Sequence, residues 1–288
     1  MAYRSILRED CFSGQTHVVT GGGSGIGRCI AHELASLGAH VVITGRKREK
    51  LDRVLAEITE DGGSAEAHAF DIREEEAVRS AVAAIVAGSG AIHGLVNNAG
   101  GQFPAPMEAI SKKGFEAVVS TNLTGGFLMM REAYAQSMRK GGGAIVNIAA
   151  DMWRGMPGMA HSGAARAGMV NLTQTAAYEW GRAGVRVNCV APGWVASSGL
   201  DTYEGPVRAL IPRLAEEVPL GRLATEAEIS SVVCFLLSAA ASFVTGATVS
   251  VDGGAPLGSP LFPLGAGGGT QPFDGFHRAV MPAVLGGS

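Results

Sequence analysis

Seven short apolar runs, at residues 16–20, 40–44, 65–70, 92–96, 144–150, 185–190 and 248–251, recur along the chain. Most are continuous rather than alternating, the pattern of strands covered on both faces. Amphipathic stretches with helical periodicity separate them, at 26–37, 47–60, 74–87, 113–139, 164–182 and 226–238. Thr225 with Glu228 makes a capping box at the start of the last one. Strand–helix repetition of this kind predicts an α/β fold: a single doubly wound parallel sheet with right-handed crossovers, in three layers α/β/α. A chain of 288 residues that is 47% hydrophobic and 17% charged can bury the core such a domain needs.

Two segments depart from the pattern. Residues 196–220 form a long insertion before the final helix, read either as a lid over a substrate cleft or as a plain surface helix. Beyond a domain spanning 1–254, the tail 255–288 is rich in Gly and Pro and carries an aromatic cluster, Phe273, Phe276 and His277. Such a tail either docks on a neighbouring subunit or wanders.

Composition excludes several functions. Net charge is −3 with acids and bases interspersed, and no basic stripe is present, so nucleic acid is not an expected partner. Cys11, Cys29, Cys189 and Cys234 are scattered without a CxxC, which predicts free buried thiols in a reducing compartment. The seven histidines are dispersed too, so no metal is expected. Residues 1–15 carry charge and no apolar core, unlike a secretory signal. The apolar stretch 232–244 is too short to span a bilayer and is broken by Ser238 and Ser242. The chain ends Leu-Gly-Gly-Ser, unlike a Ser-Lys-Leu address. A cytoplasmic protein without a membrane partner is the expectation.

The run Thr20-Gly21-Gly22-Gly23-Ser24-Gly25-Ile26-Gly27 follows the first strand and opens the first helix. Gly21, Gly25 and Gly27 let backbone approach a pyrophosphate, while the helix N-terminus offers N–H groups and a positive dipole end. Gly23, Ser24 and Ile26 share the turn, and the context marks a Rossmann-type dinucleotide site. An acidic residue at the end of the second strand would hold the ribose 2′-hydroxyl of NAD. Arg46 and Lys47 stand there instead, and a guanidinium fork suits a 2′-phosphate. NADP(H) is therefore the expected cofactor; NAD(H) is the alternative if both cations are merely solvated. Asp71 and Ile72, after the third strand, would flank the adenine.

These residues resemble the short-chain dehydrogenase/reductase family over roughly residues 12–254. The resemblance implies that Asn97-Asn98-Ala99-Gly100 supports the sheet and approaches the ribose. It implies further that Asn122 is a catalytic helix asparagine, that backbone near Pro192, Gly193 and Val195 meets the carboxamide, and that Ser197 takes a phosphate-binding position. It also implies a homotetramer or dimer built on helices 113–139 and 164–182. The family's Tyr-x-x-x-Lys pair is absent, because the last of five lysines is Lys140. Arg166 falls at the lysine position, Ser162 at the tyrosine position and Ala149 at the serine position. His161-Ser162-Gly163-Ala164-Ala165-Arg166-Ala167-Gly168, Gly100-Gly101-Gln102-Phe103 and the run 231–237 resemble the peroxisomal trans-2-enoyl-CoA reductase branch. That branch implies NADPH-dependent reduction of enoyl-CoA in fatty acid metabolism, although the tyrosine it assigns to catalysis falls on Val170.

The altered site suits that chemistry. A tyrosine–lysine pair protonates an alkoxide, whereas hydride addition to an enoyl thioester builds an enolate oxyanion that donors or a cation can stabilise. Arg166 stays protonated and can hold ribose hydroxyls or supply a positive field, unless it lies in an exposed salt bridge. Ser162, one turn earlier, shares its face. His161 is a candidate proton donor, either about 100° round the helix or just before it starts, or else a structural histidine. Asp151, ending the fifth strand, would face the nicotinamide or serve as a cap. Met152, Trp153, Met156 and Met159 either line an apolar pocket or pack in the core. The tail motif 272–278 resembles bacterial members of terpenoid breakdown, so an alcohol or aldehyde dehydrogenase for a branched substrate is the second reading. A dinucleotide-binding subunit or sensor without catalysis is the third.

Overall fold

The computed structural model describes residues 8–258, 265 and 269–286; parts of the leader and tail expectations, at 1–7, 259–264, 266–268 and 287–288, lie outside them. The strands are β1 (Thr16–Thr20), β2 (His40–Gly45), β3 (Ser64–Ala69), β4 (Gly94–Asn97), β5 (Gly143–Ile148), β6 (Val185–Pro192) and β7 (Thr248–Val251). All pair in parallel, in the order β3-β2-β1-β4-β5-β6-β7. Each apolar run divides its side chains between two cores. Val19, Val41, Ile43, Val96 and Val146 face one. Val18, Val42, Leu95 and Ile145 face the other. That explains why the runs show no alternation. Strand order reverses between β1 and β4, so the crevice beyond their C-terminal ends is where such folds bind ligands.

On the first face lie α1 (Gly25–Ser36), α2 (Arg48–Glu60) and α9 (Glu226–Leu237), whose Ile30, Leu34, Leu51, Val54, Ile58, Ile229 and Val233 fill the core. The capping box of α9 is present, with Thr225 and Glu228 exchanging both bonds. The second face carries α3 (Glu75–Ser89) and the layers around α5 (Gly125–Ala133) and α7 (Ala160–Trp180). The helix expected at 113–139 is a composite. It runs as α4 (Lys112–Val119), a π segment (Ser120–Thr124), α5 (Gly125–Ala133), a second π segment (Tyr134–Met138) and a last turn, α6 (Arg139–Gly141). The helix expected at 164–182 begins earlier, as α7 (Ala160–Trp180), and takes His161 into its first turn. A buried polar chain, Asn97 Nδ2 to Asn147 Oδ1 (2.9 Å) and Asn147 Nδ2 to Thr173 Oγ1 (2.9 Å), ties β4 and β5 to α7.

The insertion 196–220 folds as a 3₁₀ turn (Ser198–Thr202), α8 (Gly205–Leu210) and a second 3₁₀ segment (Ile211–Glu217). The described part of the tail packs on its own chain. Phe276 is 6% exposed, seated under the Arg28 guanidinium (5.0 Å to the ring). Arg278 donates to Glu60 (2.8 Å) and Asp61 (2.6 Å), and holds the Asp61 carboxyl down at about 2. All four cysteines are free, and Cys11 is half-buried where the others are buried. Among the described residues no helix is long and apolar enough to cross a membrane.

Candidate active site

A cleft of about 680 Å³ opens at the C-terminal ends of β1, β4, β5 and β6. Of the turn residues, Gly21, Gly23, Ser24, Gly25 and Ile26 line it. Gly21 and Gly25 hold φ of 66° and 58°, a region costly for any residue with a Cβ. Gly27 does not line the cleft. A Cβ there would lie 2.5 Å from the Gly21 carbonyl oxygen, so its role is to let α1 press on the turn. Thr20 Oγ1 accepts from Asn98 N and Ala99 N (3.0 Å each), and Asn98 Nδ2 donates to Thr20 O (3.0 Å). The Asn98 side chain is thus spent on bracing the turn, although the residue lines the cleft with Ala99 and Gly100.

One end of the cleft is cationic. Arg46 and Lys47 line it as expected, together with Asp71 and Ile72, and Lys50 and Arg73 join them. Arg73 grips Asp71 (Nη2 to Oδ2 2.5 Å), which holds that carboxyl below its usual range, with Arg46 contributing. Asp71 and Arg73 therefore cancel. Among the described residues Arg46, Lys47 and Lys50 carry no salt bridge. At the other end lie Pro192, Gly193, Trp194, Val195, Ser197 and Ser198. These features fit a dinucleotide: a positive-φ turn at a helix N-terminus, unpaired cations at one end and a buried donor without a partner, Arg166 Nε, at the other.

Arg166 is not in a surface salt bridge. Its Nη1 donates to Ile148 O (2.6 Å) at the end of β5, and a Cβ on Gly100 would lie 2.6 Å from its Nη2. Among the described residues no carboxylate pairs with it; burial lowers its pKa to about 10, so it is still charged at neutral pH. Asn122, in the first π segment, is 2% exposed and bonds the Gly101 backbone twice, Oδ1 from N (2.8 Å) and Nδ2 to O (2.9 Å). It braces the 100–102 turn and does not line the cleft.

Three further expected residues do not reach the cleft. His161 is fully buried, with Nδ1 accepting from Ser162 N (2.8 Å), Nε2 without a partner and its ring edge-on to Phe103 (4.4 Å). Helix α7 starting at Ala160 turns it inward, away from a donor's position. Asp151 lies beyond the strand end, its N–H on Pro192 O (2.9 Å), and burial with Asp252 nearby raises its carboxyl. Ser162 is fully buried too, but Oγ donates to Gln102 Oε1 (2.6 Å), and Gln102 Nε2 donates to Tyr203 Oη (2.7 Å). Gln102 and Tyr203 both line the cleft. Met152, Trp153, Met156 and Met159 do not, and Trp153 is 46% exposed. Tyr203, Lys50, Arg73, Trp194 and Ser198 had no assigned role in the sequence. For Tyr203 the available signal was its place in the insertion read as a possible lid.

A family model described as enoyl-(acyl carrier protein) reductase matches residues 21–256. A probable 2,4-dienoyl-CoA reductase of Bacillus subtilis is 37% identical over 240 residues, 82% of this chain and 94% of that protein. Among solved structures, the citronellol catabolism dehydrogenase AtuB of Pseudomonas aeruginosa is 60% identical, with TM-score 0.79, covering 88% of this chain and 100% of that one. An actinorhodin polyketide ketoreductase solved with NADPH is 32% identical, with TM-score 0.79, covering 84% and 97%. With this fold, this cleft and these relatives, the chain belongs to the short-chain dehydrogenase/reductase family and is an NAD(P)-binding oxidoreductase.

Proposed function

We propose that the protein uses NADP(H) to reduce the carbon–carbon double bond of a hydrophobic enoyl-CoA thioester. The observation that carries this reading is Arg166: a buried, charged guanidinium without a carboxylate stands where a carbonyl reductase would keep its lysine. Such a group cannot relay a proton, but it provides a fixed positive field for an oxyanion. Arg46, Lys47 and Lys50 would hold the 2′-phosphate, and the N–H groups of the turn at Gly21–Ile26 the pyrophosphate. Arg166, Pro192, Gly193 and Val195 would hold the nicotinamide half. The bound cofactor supplies hydride. Leu200, Trp194 and Ile148 give the reacting end apolar walls. The dienoyl-CoA reductase relative supports this substrate class.

A second reading, oxidation of a branched alcohol, is favoured by the 60% identity to a citronellol catabolism dehydrogenase. Two assays separate them: NADPH oxidation with a medium-chain trans-2-enoyl-CoA, and NADP⁺ reduction with citronellol. Turnover of the thioester alone supports the first reading, and turnover of the alcohol alone the second. Tight NADPH binding without either rate points to a non-catalytic subunit. The same reading carries a cytoplasmic homotetramer with one catalytic domain, 1–254; a monomer in light scattering contradicts the assembly.

A further inference from the structure

The geometry points to Tyr203 as the proton donor of this site, a phenol delivered from the insertion to replace the one missing from α7. This rests on the reductase reading above. Serine at position 162 is too short to reach the cleft, and it is fully buried. Its hydroxyl instead fixes Gln102 (2.6 Å), and Gln102 fixes Tyr203 (2.7 Å). The backbone of the 3₁₀ turn holds the ring from behind, with Tyr203 N on Leu200 O (3.3 Å). The chain of bonds has a direction. Ser162 gives its proton to Oε1, which leaves Nε2 of Gln102 to donate to Oη. Oη therefore accepts, and among the described residues its own hydrogen meets only Met159 Sδ at 4.0 Å, a weak acceptor. A half-buried phenol in the cleft thus keeps its proton for a ligand oxygen.

The chemistry balances. Hydride from the reduced nicotinamide forms a C–H bond at the β-carbon, and the π pair moves onto the α-carbon and thioester oxygen. The Tyr203 O–H stabilises that oxygen, then breaks as its proton forms the second C–H bond at the α-carbon. The Gln102 N–H supports the tyrosinate left behind, and solvent at the cleft mouth returns the proton. Gln102 and Ser162 are positioning residues.

The test compares Tyr203→Phe with wild type. With enoyl-CoA, kcat is expected to fall about 10²- to 10⁴-fold, while the NADPH Kd measured by fluorescence stays within about twofold. In calorimetry with NADP⁺ present, hexanoyl-CoA is expected to bind roughly three- to tenfold more weakly, the loss of one hydrogen bond. Ser162→Ala is expected to lower kcat and shift its pH profile, with Ser162→Thr restoring both; a rise in KM alone would deny the relay. Wild-type turnover with Tyr203→Phe within threefold overturns the phenol. Turnover of citronellol alone overturns the thioester substrate, and the phenol is then judged by the same comparison on the alcohol. No wild-type turnover of either compound overturns the reductase reading and this proposal together.

Discussion

Glu226 is the first residue of α9, 8% exposed, and a Cβ on Gly25 would lie 3.9 Å from its Oε1 and the same from Ser198 Oγ. Burial raises its carboxyl from 4.5 to about 7, against a lowering by Arg28. The folded pKa lies above the unfolded one, so this group's stabilising contribution is complete below pH 4.5 and lost as pH rises through 7. Relative to the fully protonated state, the cost is about 1 kcal/mol at pH 5.5 and about 3 kcal/mol at pH 8.5. Glu226→Gln keeps the shape and removes the titration. Urea denaturation of the apo protein should show the variant gaining roughly 2 kcal/mol on wild type between those two pH values. Parallel stability curves across that range would refute the assignment. The same ionisation sits beside the phosphate turn, so NADPH affinity should weaken above pH 7 in wild type but not in the variant.

Arg46→Asp should weaken NADPH by about 10- to 100-fold, the loss of a charge-assisted bond, and change NADH little; equal losses in fluorescence titration would deny the 2′-phosphate role. Arg166→Lys keeps the charge and loses the fork, so NADPH should bind about tenfold or more weakly, with unchanged affinity counting against a contact. Phe276→Ala should cost about 3 kcal/mol of urea stability, whereas a loss under about 1 kcal/mol would mean the ring is not seated.

The continuous runs Val18-Val19 and Val41-Val42-Ile43 made the parallel sheet readable, because only a strand buried on both faces needs them. The glycine turn was readable for a similar reason: positive φ at Gly21 and Gly25 leaves few alternatives. The start of α7 was not. Its N-cap position is Met159 without a side-chain cap, and Gly163, which mimics a breaker, stands where a Cβ would lie 3.2 Å from Met156 Cβ. The π segments were equally hidden, since an extra residue in a helical turn leaves no mark on composition. Ser162 and Gln102 stand 60 positions apart, and Gln102 and Tyr203 stand 101 apart. No periodicity links them, so the missing phenol could be noticed at its usual place and not found at its new one.

Arg28 and His32 lie in the helix that opens at the phosphate turn, and Arg28 Nη1 donates to the carbonyl of Arg278, 250 positions later. A nascent chain on the ribosome has therefore made that helix long before its outer face can be covered. A product stopped before the tail is made would present Cys29 and Ala227, which Phe276 otherwise covers, to solvent and to chaperones.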